Sequence, residues 1–122
     1  MKLNPDCIRY ILLTLEPLTK HGEKLCIDYS NFYKFRGEYS EEEFTYHLQQ
    51  CIHFKYLIGK YKPMCFFIED LSPKGHTFLA DIKSDTNWNK TKEIANKVGS
   101  FSLDTLGNIA TNVISNLITK NF

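Results

Sequence analysis

Apolar residues in the first third of the chain recur first at helical spacing and then at strand spacing. Asn4-Pro5-Asp6 supplies an N-cap, a proline tolerated at the first helical position and a carboxylate near the positive end of the helix dipole. The apolar positions of the helix that follows are Ile8, Ile11, Leu12 and Leu15. Pro17 is expected to end this helix before a short strand at Leu25–Ile27. Tyr29–Phe35 then predicts a brief second helix, which Gly37 closes.

A capping box at the start of a third helix is the strongest local signal. The side chain of Ser40 is placed to accept from the amide of Glu43, whose own side chain reaches back to the cap. The apolar stripe of this helix is Phe44, His47, Leu48, Cys51 and Ile52. Two β-prone runs follow, Leu57–Tyr61 and Cys65–Ile68, and they flank the turn residues Lys62-Pro63-Met64. This pattern predicts a hairpin. The order of helix, strand, helix, helix and hairpin is that of a winged helix-turn-helix.

Three more helices are predicted beyond the hairpin. Ser72-Pro73 opens the fourth helix, Asp85–Val98 forms the fifth, and Leu103–Ile118 forms the sixth. We therefore predict a mainly α protein with a small β-hairpin, in the α+β class, built on a winged helix-turn-helix core over residues 1–83. Residues 84–122 are expected to form a C-terminal helical extension that packs on the core or forms a dimer interface.

Length and composition fit one small globular domain. The chain has 122 residues, of which 43% are hydrophobic and 24% are charged, and its formal net charge is +1. Proteins dedicated to nucleic acid usually carry a strong excess of Lys and Arg, which the charge of the whole chain does not show. No apolar run approaches the roughly 20 residues of a membrane span and no secretory leader is recognisable, so we expect a cytoplasmic protein without a membrane partner.

The four cysteines do not form the pattern of a metal site or a redox centre. Cys7, Cys26, Cys51 and Cys65 are widely separated, and none lies in a CxxC pair. Each has apolar neighbours, which predicts buried, reduced thiols. His47 and Cys51 lie four residues apart on the third helix, but two ligands do not make a zinc site. We therefore expect neither a metal nor another cofactor.

Four sequence blocks carry a resemblance to a known family. They are Asn4-Pro5-Asp6-Cys7-Ile8-Arg9, Tyr39-Ser40-Glu41-Glu42-Glu43 with Tyr46-His47-Leu48, Asp70-Leu71-Ser72-Pro73-Lys74-Gly75-His76 with Phe78-Leu79, and Lys97-Val98-Gly99-Ser100-Phe101-Ser102-Leu103. Over nearly its whole length the chain resembles a family of phages, prophages and bacteria catalogued as domain of unknown function 2513. The resemblance implies a phage or prophage context and brings no established activity. The Leu-Ser-Pro-Lys-Gly segment is also similar to the segment that follows the wing in many bacterial winged-helix regulators.

The first functional hypothesis is a phage-type regulator that binds double-stranded DNA as a homodimer. In winged-helix proteins of this kind the recognition helix enters the major groove and the wing lies near phosphates. Candidate base or backbone contacts on the third helix are Thr45, Tyr46, Gln49 and Gln50. Candidate phosphate contacts in the basic stretch that follows are Lys55, Lys60 and Lys62. Lysines that protect a sheet edge against pairing produce the same pattern.

The second hypothesis is a protein interaction module. Glu41, Glu42 and Glu43 occupy the half of the third helix that would approach phosphate, and their charge counts against ordinary groove recognition. Three glutamates in a first helical turn also interact favourably with the helix dipole and aid solubility. Together with exposed tyrosines, this acidic start of the helix is a candidate surface for docking on a host or phage protein, or for inhibiting it.

The sixth helix supplies further candidates for a protein interface. Leu103, Leu106, Ala110, Val113 and Leu117 recur at alternating three- and four-residue steps, as in a coiled-coil seam. Such a seam packs either on its own domain or on a second copy of the chain, which would make a homodimer. The interface candidates are Leu106, Ala110, Val113 and Leu117.

No motif indicates an enzyme. The sequence contains no Gly-rich phosphate loop, no GxSxG elbow and no HExxH helix. Glu69-Asp70 is expected to cap a turn rather than to act as an acid and a base. We therefore predict a non-enzymatic protein, and on fold analogy we favour the DNA-binding regulator over the interaction module.

Overall fold

The computed structural model describes residues 1–121, which divide into two compact units, Met1–His76 and a second that begins at Thr77. The elements are α1 (Pro5–Leu15), β1 (Leu25–Asp28), α2 (Phe32–Phe35), α3 (Glu41–His53), β2 (Leu57–Lys62), β3 (Cys65–Leu71), α4 (Pro73–Ile82), α5 (Asp85–Val98) and α6 (Leu103–Asn121). The predicted α+β class and the predicted order of elements are confirmed. The boundary between the units falls inside α4.

The sheet of the first unit has the strand order β1-β3-β2, and both strand pairs are antiparallel. Ile27 lies opposite Phe66, and both side chains are buried on the inner face. On the outer face Cys65 lies opposite Asp28 on one side and opposite Lys62 on the other. Because successive side chains of a strand point to opposite faces, one face is apolar and the other carries charged and thiol groups.

Two helices and the inner face of the sheet enclose the core of the first unit. α1 packs against α3, and both contact the sheet. The buried side chains of α1 are Cys7, Ile8, Ile11, Leu12 and Leu15. Those of α3 are Phe44, His47, Leu48, Cys51 and Ile52. Helical periodicity therefore identified the core-facing side of both helices correctly.

A cluster of polar contacts joins the start of α1 to α3. The side chain of Asn4 caps α1 by accepting from the backbone N–H of Asp6, and its amide donates to the carboxylate of Glu43 at 2.9 Å. The backbone N–H of Asn4 donates to Nε2 of the buried His47 at 2.7 Å. Nδ1 of His47 therefore carries the proton and donates to the carbonyl of Glu43. Buried His47 is thus a structural link between two helices.

The second helix is shorter than the sequence predicted. α2 begins at Phe32, and the segment Tyr29–Asn31 forms a turn instead. The carboxylate of Asp28 accepts from the backbone N–H of Ser30 at 2.9 Å and from its hydroxyl at 2.6 Å. An aspartate that bonds the backbone locally competes with helical hydrogen bonding, and this competition delays the start of the helix.

α3 ends in a left-handed cap that contains a lysine where glycine is usual. Lys55 has a φ of 68°, and its N–H donates to the carbonyl of Ile52 at 3.1 Å. The N–H of Tyr56 donates to the carbonyl of Cys51 at 2.9 Å. These two bonds form a Schellman motif, which turns the chain directly from α3 into β2.

The first turn of α4 packs against this cap. The hydroxyl of Ser72 donates to the carbonyl of Lys55 and accepts from the N–H of Gly75. The N–H of Ser72 donates to the carbonyl of Tyr56 at 3.0 Å. Gly75 lies so close to Tyr56 that a Cβ atom would overlap the carbonyl oxygen of Tyr56. The segment after β3 therefore fastens the exit of the hairpin to the end of α3.

The second unit is helical. Ser84 caps α5 by accepting from the N–H of Asn87, and Gly99 ends it with a φ of 81°. These bounds confirm the predicted fifth helix. α5 and α6 pack against each other.

Over residues 1–121, none of the helices is both long enough and apolar enough to cross a membrane.

We expect Gly75→Ala to destabilise the protein by about 1–3 kcal/mol, because the added methyl group meets backbone that has no room to move. Helix propensity alone predicts the opposite, a gain of up to about 1 kcal/mol. Urea unfolding measures the difference. Thr77→Ala, at an exposed position of the same helix, is the matched control and should be neutral or slightly stabilising. A Gly75→Ala protein as stable as the control would contradict the close packing.

Candidate binding cleft

An open cleft of about 280 Å³ lies between the first half of α3 and the neighbouring turns of the first unit. Its lining residues are Tyr29, Phe32, Glu41, Glu42, Thr45, Gln49, Met64 and Phe66. They come from α3, from the β1–α2 segment and from the β2–β3 hairpin. Four of the eight lie on α3 and were named from the sequence, which also suggested that exposed tyrosines take part but named none of the other four residues.

One wall of the cleft is acidic. Glu41 and Glu42 are both exposed in the first turn of α3. Thr45, one turn further on, donates its hydroxyl proton to the backbone carbonyls of these two glutamates. Thr45 can therefore offer a partner an acceptor more readily than a donor. The third glutamate, Glu43, is turned away into its bond with Asn4.

The rest of the cleft lining is mainly aromatic and apolar. Tyr29 and Met64 are each 56% exposed, although both are large side chains. The ring of Tyr29 packs edge-on against that of Phe32 at 5.6 Å, and Phe32 packs against Phe66 at 6.4 Å. Phe32 and Phe66 are buried, so the two exposed side chains lie next to well-packed rings of the core. None of the described residues that line the cleft is basic.

The lysines predicted to contact phosphate lie elsewhere. Lys60 and Lys62 are exposed and extend from β2 on the outer face of the sheet. Lys55 is exposed at the opposite end of α3 from the glutamates. The proposed base contacts also separate, because Thr45 and Gln49 line the cleft whereas Tyr46 and Gln50 do not.

The seam of α6 is largely covered within the single chain. Leu106 and Ala110 are 0% exposed and Val113 is 7% exposed, whereas Leu117 is 42% exposed. Three of the four proposed interface residues are therefore part of the folded chain's own interior. Charged substitutions at Leu106 or Val113 would therefore test folding and not dimerisation, and of the four candidates Leu117 alone is exposed to a second copy.

The prediction that all four thiols are buried is wrong for two of them. Cys7 and Cys51 are buried, and burial raises the pKa of both thiols, that of Cys7 to about 12. Cys26 is exposed and Cys65 is half-buried. Both lie on strands, where apolar sequence neighbours point to the face opposite the residue they flank. No group of three metal-ligating side chains is present in the described part of the chain, including around His47.

The segment of the chain that contains the cleft residues matches a known protein family. Residues 2–102 match the sequence model of the family described as hypothetical protein (DUF2513). The chain belongs to this family. The match extends from α1 through α5, so the cleft lies inside the family region and α6 lies beyond it. No curated protein and no solved structure matches the chain.

We expect Lys55→Gly to stabilise the protein by about 0.5–1 kcal/mol. A left-handed conformation costs a residue with a Cβ about 1–2 kcal/mol, and glycine removes this cost. The greater conformational entropy of glycine in the unfolded chain offsets part of the gain. The urea midpoint reports the change. Lys55→Ala removes the same charge but keeps the strain, so it should not stabilise. A glycine variant less stable than the alanine variant would rule out strain at this cap.

Proposed function

We propose that this protein is a non-enzymatic docking module that binds a segment of another protein carrying basic and apolar side chains. The observation that carries the proposal is the pairing, in one cleft without a lining lysine or arginine, of exposed Glu41 and Glu42 with exposed Tyr29 and Met64. Acidic and apolar groups side by side complement a cation flanked by a hydrophobic side chain.

Cleft size supports a protein segment as the occupant. About 280 Å³ is slightly less than the roughly 300–1,000 Å³ of pockets that enclose small molecules, and the cleft is open. One or two inserted side chains fit such a volume. Tyrosine supplies contact area at low entropic cost, and methionine adapts its shape to a partner.

The same proposal interprets the first unit as a winged helix whose α3 serves protein docking. The order of helices and strands supports this interpretation. A fold of this kind does not determine its ligand. The side chains of α3 are what favour a protein ligand. Carboxylates at the start of α3 would face the phosphates in ordinary groove recognition and would be repelled by them.

Double-stranded DNA is the second candidate ligand, through a different surface. Lys60 and Lys62 lie two residues apart on β2 and extend from the same exposed face. A pair of lysines at this spacing suits contacts to a phosphate backbone. Asp28 and Glu69 on the same sheet face reduce its positive potential, which is why we place DNA second.

The docking proposal predicts the binding of short fluorescein-labelled peptides that alternate lysine with leucine. We expect Glu41→Lys with Glu42→Lys to weaken this binding at least about tenfold, because the variant replaces attraction by repulsion. Fluorescence anisotropy measures the affinity. Peptides with glutamate in place of lysine, or serine in place of leucine, should bind the wild type more weakly.

Glu23→Lys with Glu69→Lys is the matched control, since both acids are exposed and line a separate cleft. This variant has the same net charge as the test variant. Equal losses of peptide affinity in the two variants would show that overall charge causes the effect, and would overturn the proposed binding site. The absence of peptide binding by the wild type would also overturn it.

For DNA, we expect only weak binding to mixed-sequence duplex at physiological salt, in the non-specific range of about 10⁻⁴–10⁻⁶ M. Lys60→Glu with Lys62→Glu should weaken it and lower the salt slope by up to about 2, while peptide affinity stays unchanged. Lys2→Glu with Lys20→Glu is the control of equal charge at other exposed positions. Tight, sequence-dependent binding by the wild type would replace docking by DNA regulation as the principal function.

A further inference from the structure

Two cysteines from different strands meet on the outer face of the sheet. Sγ of Cys26 on β1 lies 3.8 Å from Sγ of Cys65 on β3, although the residues are 39 positions apart in the chain. They are diagonal neighbours in the antiparallel pair, because Cys26 is directly opposite Phe67 and Cys65 is directly opposite Asp28. Both sulfurs are on the side of the sheet that faces away from the core.

We propose that Cys26 and Cys65 form a reversible cross-strand disulfide by exchange with low-molecular-weight disulfides. The register of the sheet already places the sulfurs in contact, so bond formation needs only a closing movement from 3.8 Å to about 2.05 Å. Rotation of the two partly exposed side chains supplies part of that movement, and a small backbone shift that brings the two strands closer supplies the rest. The buried thiols Cys7 and Cys51 have no access to such a reagent.

The charged neighbours assign different roles to the two thiols. Cys26 lies beside the carboxylate of Asp28, with Sγ and Oδ2 3.9 Å apart. Desolvation, the bond with Cys65 and the Asp28 charge together raise the pKa of the Cys26 thiol. Hydrogen bonds from Ser30 lower the pKa of Asp28, which keeps its negative charge in place. Because the raised pKa of Cys26 keeps that thiol protonated, Cys65 is the first to attack.

The exchange proceeds in two steps. The thiolate of Cys65 attacks one sulfur of the small disulfide, forms a mixed disulfide and releases one small thiolate. Cys26 loses its proton to solvent, and its sulfur then attacks the sulfur of Cys65 and releases the second small thiolate. The protein loses two electrons and two protons, and the reagent is reduced to two thiols.

Reversibility follows from the diagonal arrangement. Diagonal Cα atoms in an antiparallel pair are about 7–8 Å apart, beyond the roughly 4.4–6.8 Å usual for disulfides. The bond therefore forms with some strain, and strained, exposed disulfides are the ones most easily reduced. Such a bond suits transient oxidation within a reducing compartment.

The test uses the native full chain and 5,5′-dithiobis(2-nitrobenzoate), an aromatic disulfide. We expect the wild type to release two equivalents of thionitrobenzoate, to retain none, and to lose about 2 Da in mass. Dithiothreitol should restore the original mass. Peptide mapping of the oxidised protein should place the new bond between Cys26 and Cys65, with Cys7 and Cys51 reacting only after denaturation.

Cys26→Ser and Cys65→Ser provide the matched controls, because serine preserves the size of each exposed side chain. Each variant should release one equivalent and retain one adduct on the remaining cysteine, since no second thiol is near enough to displace it. Two retained adducts on the wild type would show that the thiols react independently and would overturn the proposal. Mapping of the bond to any other pair of cysteines, or the absence of any native reaction, would also overturn it.

Discussion

The packing of the first turn of α4 on the end of α3 is the contact on which the geometry of the first unit depends. Ser72 bonds the carbonyls of Lys55 and Tyr56, and Gly75 allows the two backbones to approach closely. This contact joins the end of α3, which leads into β2, to the start of α4, which follows β3. Both ends of the hairpin are therefore held at the same place. β2 and β3 consequently run back along α3, and their turn, with Met64, lies beside the first half of that helix.

This arrangement separates two surfaces of opposite chemistry. The cleft beside α3 combines carboxylates with exposed Tyr29 and Met64, while the outer face of the sheet carries Lys60 and Lys62. A helix that reads a DNA groove needs its cations on the face that enters the groove. Here the cations and the exposed helix face do not coincide, which is why we propose protein docking and not groove recognition.

Predictions from the sequence failed where a residue's neighbours in space differ from its neighbours in the chain. Cys26 and Cys65 have apolar sequence neighbours, but on a strand those neighbours mark the opposite face, and the two thiols face solvent. The seam of α6 predicted an apolar surface correctly, but periodicity does not distinguish packing within a chain from packing between chains. Burial of Leu106 and Val113 decides that most of this surface is internal.

Sequence alone determined the helices and strands, their order, most of their bounds and the core-facing side of α1 and α3, because caps, turns and periodic burial depend on residues close together in the chain. Tertiary structure alone decided that Tyr29 and Met64 line the same cleft as Glu41, and that Cys26 meets Cys65. These pairings depend on strand register and on the direction of the hairpin. Both are fixed by contacts between distant segments, which leave no local pattern in the sequence.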